Sequence, residues 1–253
     1  IEQGYNIIFG TTFGYIDAMA EMAEEYPDVI FLHCSGYLNN DTNFANYFGK
    51  MYQPRYLSGL AAGAMTDSNK IGYVAAFPIP EVIRGINAFA AGVNEVNPDA
   101  TVEVVWTFTW FGPEAETQAA NALLETGADV LAQHQDSTAT GLAAEAAGAK
   151  WISYNTAYGK DSAPEAFVTA PVWDWGPYYV DIVESIIDGT FSTESYWGGM
   201  ETGLVSLYDL SSDVPSDIAT LIGEKTDAII DGTLEVEIVE EEFISNVIGT
   251  VNP

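Results

Sequence analysis

The sequence predicts an α/β protein of two lobes, each a mainly parallel sheet flanked by helices, with hinge crossovers between the lobes. Three observations predict it. Short apolar runs alternate with helical patterns of roughly 10–15 residues, which is how βαβ units around buried parallel strands read. The units are too numerous for one sheet of about six strands. Two stretches suit crossovers: Thr66-Asp67-Ser68-Asn69, which lacks large apolar residues, and Thr169–Trp175, where the regular alternation ends. Residues 1–69 are read as the first lobe and 70–170 as the second. Residues 171–253 form the hinge return, complete the lobes and supply a C-terminal tail.

The elements follow in order. Ile1-Glu2-Gln3-Gly4 reads as the last turn of a helix and its closing glycine, so the chain is expected to lack an earlier segment. Tyr5–Phe9 is a strand, Ile16–Tyr26 a helix stopped by Pro27-Asp28, and Val29–His33 a strand. Phe44–Phe48 is a strand, Tyr56–Met65 a helix and Ile71–Ala76 a strand. Glu81–Val96 is a helix closed by Asn97-Pro98-Asp99, and Val102–Phe108 a strand. Glu114–Glu125 is a helix closed by Gly127, Val130–Gln133 a strand, Thr138–Ala147 a helix closed by Gly148, and Trp151–Tyr154 a strand. Beyond it Phe167–Val172 is extended, Tyr178–Ile187 helical, Leu204–Leu210 a strand and Ile218–Ile230 a helix with Pro215 near its start. Val236–Val239 is read as a last strand, and the tail after Glu240 as poorly ordered.

Charge excludes whole classes of function. The 253 residues hold 37 Asp and Glu against 7 Lys and Arg, a formal net charge of −30. Such a surface repels phosphate backbones and anionic bilayers, so no nucleic-acid partner is expected. Its ordinary physical role is hydration in high salt, with salt rescuing a self-repelling fold. No apolar stretch approaches the ~20 residues of a membrane span. The one cysteine, Cys34, allows no disulfide within these residues and lies in the apolar run Val29–Cys34, where it is read as core.

In parallel α/β sheets ligands sit beyond the carboxyl ends of the strands. Those positions hold Phe13 and Tyr15, Tyr47, Phe77, Trp110, His134 and Asp136, and Asn155, and the second crossover adds Trp173 and Trp175. Aromatic rings with a few polar groups among them suit a site that stacks a planar ligand and orients it by hydrogen bonds. Any one ring is more often core than ligand contact, and Asp136 is as well placed to cap the helix near Thr138 as to hold a ligand. The weight rests on recurrence at successive strand ends. Catalytic signatures are missing: there is no G-x-S-x-G, P-loop, G-x-G-x-x-G or H-E-x-x-H. The chain therefore reads as a non-catalytic binding protein with no cofactor and no metal.

At these residues the sequence resembles the basic membrane protein (BMP, PnrA-like) family of ABC-transporter substrate-binding lipoproteins. The resemblance runs from about Gly4 to Gly232 and is carried by Asn6–Tyr15, Asn46–Lys50, Ile71–Phe89, Gly127–Ser137 and Trp173-Asp174-Trp175-Gly176-Pro177-Tyr178-Tyr179. It implies a type I periplasmic-binding-protein fold. It implies an extracytoplasmic receptor, periplasmic or lipid-anchored to the outer face of the plasma membrane, that closes its lobes on a purine nucleoside or nucleobase and delivers it to a permease. It also implies that Phe13 or Tyr15 supplies a first-lobe ring, Trp110, His134, Asp136 and Asn155 the second-lobe contacts, and Trp173 and Trp175 a hinge-side wall. The family's lipid-anchor cysteine and first βαβ unit are not among these residues and are expected in the segment that precedes them, and Asn155 stands where an aspartate is usual. The competing reading is a ligand-sensing receptor or regulator of the same fold that binds another small heterocycle.

Overall fold

The computed structural model describes residues 1–249. In chain order its elements are β1 (Ile7–Gly10), α1 (Ile16–Glu25), β2 (Ile30–Cys34), β3 (Phe44–Gly49), α2 (Tyr52–Met65), β4 (Lys70–Ala75), α3 (Pro80–Val96), β5 (Thr101–Trp106), α4 (Pro113–Glu125), β6 (Val130–His134), α5 (Ala139–Ala147) and β7 (Lys150–Ile152). There follow α6 (Gly159–Ser162), β8 (Phe167–Thr169), β9 (Pro171–Trp173), α7 (Gly176–Ile187), β10 (Tyr196–Gly198), β11 (Val205–Leu207), α8 (Ser216–Ile230) and β12 (Val247–Ile248).

The chain divides into two compact units, both discontinuous in sequence. The smaller comprises Ile1–Lys50 and Asp174–Leu204, the larger Met51–Trp173 and Val205 onward. The smaller unit is a four-stranded sheet in the order β1-β2-β3-β10, parallel throughout. Helix α1 covers it with Ile16, Met19 and Ala23, spaced to share one face, and Met19 and Ala23 cluster with Phe31 and Phe44. Gly10 closes β1 because Met19 lies over it: a Cβ there would sit 1.9 Å from the Met19 sulfur.

The larger unit carries a six-stranded parallel sheet in the order β12-β5-β4-β6-β7-β8, with β9 and β11 forming a separate antiparallel ribbon. Val74, Leu123, Leu131, Trp151 and Phe167 build one core beside it. Trp151 is fully buried and donates from Nε1 to Gln133 Oε1 at 3.0 Å, so its one polar atom is satisfied. Helix α2 is buried from Tyr52 to Gly63 and packs on α3. The approach is close because glycines lie at the contact: Gly59 faces the Phe89 carbonyl and Gly92 the Tyr56 carbonyl.

Several elements depart from the sequence reading. α2 begins at Tyr52, not Tyr56, because Pro54 falls in the first turn, where its missing N–H breaks no helical bond. The chain leaves the smaller unit at Lys50–Met51 rather than within 66–69, since α2 packs on α3 and belongs with the larger unit. Val236–Val239 forms no strand; the strand beside β5 is β12 instead. The segment past Glu240 is ordered as far as it is described. Ile244 N donates to Asn87 Oδ1 (3.1 Å), and the buried Asn246 donates to the Ala90 carbonyl (2.9 Å). Asp136 does not cap α5; that end takes Ser137, whose hydroxyl accepts from Ala139 N at 3.2 Å.

Candidate ligand-binding site

The larger unit's strand order fixes where a site belongs. From β4 the chain passes first to β5 on one side and then to β6 on the other, so the sheet switches direction between β4 and β6. The crevice beyond the carboxyl ends of such a pair is where open α/β sheets bind ligands. Ala75 and His134 are the partners that end this ladder.

Four predicted residues gather there. Phe77 follows β4, and its ring centroid lies 5.3 Å from that of Trp110, tilted by 58°. Trp110 lies 6.0 Å from the His134 ring, and His134 lies 4.7 Å from Tyr154. Asp136 N donates to the Trp110 carbonyl at 2.9 Å, which ties the loop after β6 to the loop after β5. Phe77 and Trp110 are half-buried and Asp136 is exposed, so these groups keep surface for a ligand. Asn155, one residue past Tyr154, takes a left-handed φ of 57°, which asparagine tolerates better than most residues. Its buried Oδ1 has no hydrogen-bond partner.

Beneath the rings lies a cation that the sequence reading did not select. Arg55 of α2 is 1% exposed. Its Nη1 donates to the Tyr73 hydroxyl (2.7 Å) and to the Gln133 carbonyl (3.2 Å). Its Nη2 lies 3.4 Å from His134 Nδ1, and its Cζ lies 5.0 Å from the centre of the Tyr154 ring. Glu81, in the first turn of α3, brings Oε1 to 3.7 Å from His134 Nε2. Burial and the Arg55 charge push His134 down to about 4, against the opposing pull of Glu81. Although Asp136 as a whole is exposed, its carboxyl end is partly withdrawn from water, and this, with Glu116 and Glu81 nearby, raises the carboxyl above the usual range. A second supporting acid, Glu116, is fully buried and accepts from Gly112 N (3.0 Å) and from the Ser137 hydroxyl. It thereby fixes the loops that carry Trp110 and Asp136.

The other predicted residues lie elsewhere. Trp173 ends β9 in the β9–β11 ribbon, opposite Val205. In the smaller unit, Phe13 and Tyr15 form a 3₁₀ turn after β1, half-buried and exposed respectively. His33 holds that loop by donating from Nε2 to the Thr12 carbonyl at 2.9 Å. Tyr47 is fully buried, stacked on Tyr178 at 4.7 Å and 25°, with its hydroxyl 3.2 Å from that of Tyr179. Trp175 stacks on Tyr179 at 6.2 Å and 22° and meets Tyr47 edge-on. Both rings therefore pack α7 onto β3. The one signal that marks Arg55 in the sequence is a charge set among Tyr52, Tyr56, Leu57 and Leu60 in a helix with no polar face.

Among the described residues no cluster of His, Cys, Asp and Glu has the makings of a metal site, and no helix is long and apolar enough to cross a membrane. Residues 1–239 match the family described as ABC transporter substrate-binding protein PnrA-like. TsgA13 of Haloferax volcanii, provisionally named an ABC transporter glucose-binding protein, is 44% identical over 231 residues, covering 91% of this chain and 59% of TsgA13. A purine-binding protein of Brucella abortus is 40% identical over 232 residues, covering 90% of this chain and 64% of that protein. The chain thus spans about three fifths of the length of these curated relatives. An ABC transporter solute-binding protein from Aeropyrum pernix shares the fold at a TM-score of 0.82 and 16% identity, over 95% of this chain and 79% of that one. The parallel α/β architecture is that of type I periplasmic-binding proteins, and the chain belongs to the PnrA-like family of ABC transporter substrate-binding proteins.

Proposed function

We propose that this protein is the extracytoplasmic receptor of an ABC transporter for a purine nucleobase or nucleoside, which it hands to the permease. The observation that carries the reading is the gathering of Phe77, Trp110, His134 and Asp136 at the β4–β6 switch point. Half-buried rings supply stacking, worth roughly 1–3 kcal/mol per base in aromatic sites. A buried imidazole, a carboxylate and the Asn155 amide supply hydrogen-bonding groups for the edge of a heterocycle. The purine-binding relative supports the same class. Nothing in this group forms a nucleophile–base pair, so the chemistry on offer is recognition rather than turnover.

A second reading has a specific motive: the TsgA13 relative is named for glucose. Aromatic faces with carboxylates beside them also suit sugars. A thermal-shift and calorimetric screen of adenine, hypoxanthine, their nucleosides and glucose on the full-length protein in salt separates the two. A ligand at 100 times its Kd adds about 2.7 kcal/mol of stability. Binding of glucose with none of any purine would reject the purine reading, and conversion of a nucleoside would reject the receptor reading.

A further inference from the structure

We propose that Arg55 is a positioning residue: it holds His134 in the tautomer that carries its proton on Nε2, so that the switch point presents a fixed N–H donor toward which the ligand turns an in-plane acceptor, a ring nitrogen or a carbonyl oxygen. The ligand half of this inference rests on the binding site proposed above; the tautomer half rests on the protein alone.

The donor inventory of the two groups carries the argument. A guanidinium has N–H donors and no acceptor. Arg55 Nη2 lies 3.4 Å from His134 Nδ1, so Nδ1 is the atom that accepts. A neutral imidazole that accepts at Nδ1 has its single proton on Nε2. Arg55 has no freedom to give up this contact. Tyr73 and Gln133 fix its Nη1, and the ring of Tyr154 lies over its guanidinium. Gly85 of α3 leaves it room, since a Cβ there would stand 3.0 Å from Arg55 Cδ and 3.1 Å from Nε.

Nε2 is the informative atom. His134 is 3% exposed, and its Nε2 has no hydrogen-bond partner. The Glu81 carboxylate at 3.7 Å attracts this N–H, a contact longer than an ordinary hydrogen bond, so the donor can still bond a closer acceptor. Buried donors in folded proteins are nearly always satisfied, so this one calls for a partner, and its place at the strand-end crevice is where a ligand would supply one. The charged and titratable groups facing this imidazole are Arg55 from α2, Glu81 and Arg84 from α3, and Tyr154 after β7, with Asp136 two residues along its own chain. Their balance, with burial, keeps the ring neutral at physiological pH, which preserves the Nδ1 lone pair that Arg55 needs.

The test uses nitrogen NMR of the full-length protein labelled with ¹⁵N-histidine. The chain has two histidines, His33 and His134, so the ring spectrum holds two systems, and His134→Gln assigns them. The expected wild-type result is a single Nε2–H tautomer for His134 at pH 7, unchanged down to pH 5. In Arg55→Gln the tautomers should mix and the titration should move above pH 5. An Nδ1–H or charged His134 in the wild type, or an Arg55→Gln spectrum identical to it, overturns the assignment. If circular dichroism shows Arg55→Gln unfolded, Tyr73→Phe, which removes one anchor of Arg55 without touching His134, takes its place with the same expected mixing. Hypoxanthine is then added under calorimetric saturation. The His134 Nε2–H resonance should shift while that of His33 stays. Saturable binding without that shift overturns the ligand half. Absence of binding by any purine defeats the ligand half together with the proposed function and leaves the tautomer assignment standing on its spectra.

Discussion

Gly59 and Phe89 meet backbone to backbone across the α2–α3 contact: a Cβ added to Gly59 would stand 2.0 Å from the Phe89 carbonyl oxygen. The relation is reciprocal one turn away, where a Cβ on Gly92 would stand 2.0 Å from the Tyr56 carbonyl oxygen. Neither obstacle is a side chain that can rotate aside. Gly59→Ala should therefore push two helices apart, although alanine is the better helix former. Overpacking of a tight core costs about 1–3 kcal/mol, against a propensity gain of about 1 kcal/mol. Urea denaturation should show a lower midpoint for Gly59→Ala. A higher midpoint would mean that the helices have slack and that propensity wins.

His134 makes acid stability sensitive to one side chain. Its folded pKa of about 4 lies below the ordinary histidine value near 6.5. The unfolded chain then binds the proton more tightly, so the folded state is favoured above about pH 6.5 and loses that advantage as pH falls toward 4. Across the full window this amounts to about 3 kcal/mol. Asp136, whose carboxyl is raised, acts in the opposite sense: the strain of keeping it ionised is relieved as pH falls. Unfolding free energies of wild type and His134→Gln, measured between pH 8 and pH 4, should converge as pH drops. Parallel curves would mean that His134 is not depressed.

Which of these features a reader could find in the sequence follows from the physics of each. The β4-α3-β5-α4-β6-α5 run is legible because buried parallel strands are almost wholly apolar and each helix is punctuated by Pro or Gly: Pro80 and Pro113 start two helices, and Gly148 ends another with φ 71°. The rings of Phe77 and Trp110 are legible because they follow strands. Arg55 is not, since a lone cation in a helix ordinarily faces water, and here burial is decided by Tyr73 and Gln133, both distant in sequence. Tyr47 shows the converse. It ends a strand as the ligand-facing rings do, yet Tyr178 and Tyr179, more than a hundred residues later, cover it. The Glu-Val-Glu-Ile alternation at 235–238 has the period of a strand without an edge to join, because β12 takes the place beside β5.

The formal charge of −30 predicts stability that rises with salt. At about 0.01 M salt charges interact over about 30 Å, and at about 1 M over about 3 Å. The spread carboxylates repel across the first distance and not across the second, so the melting temperature should climb between these two sodium chloride concentrations. Removing three exposed carboxylates together, Glu235→Gln, Glu237→Gln and Glu241→Gln, should flatten the climb. An unchanged slope would assign the salt effect to ion exclusion from apolar surface instead of to screening.

Asn87 decides whether the C-terminal segment stays on the larger unit. Its Nδ2 donates to the carbonyls of Val239 (2.9 Å) and Glu242 (2.8 Å), and its Oδ1 accepts from Ile244 N (3.1 Å). One buried amide on α3 thus satisfies three backbone groups of a segment that forms no strand of its own there. Arg84, one helical turn earlier, pairs with Glu240 and holds the same stretch by charge. Beyond it Asn246 bonds the Ala90 carbonyl, and Val247 and Ile248 lie beside β5 as β12. Asn87→Ala removes both donors and the acceptor at once. At about 0.5–1.5 kcal/mol per net hydrogen bond, the loss should reach about 2–4 kcal/mol. It should be local, because β5 retains β4 on its other side. Hydrogen exchange should accelerate at Ile244 and Val247 in Asn87→Ala while the amides of β4 and β6 keep their protection. Uniform acceleration through the sheet would show instead that the segment is an inseparable part of the larger unit's fold, and unchanged exchange would show that Arg84 and Asn246 suffice to hold it.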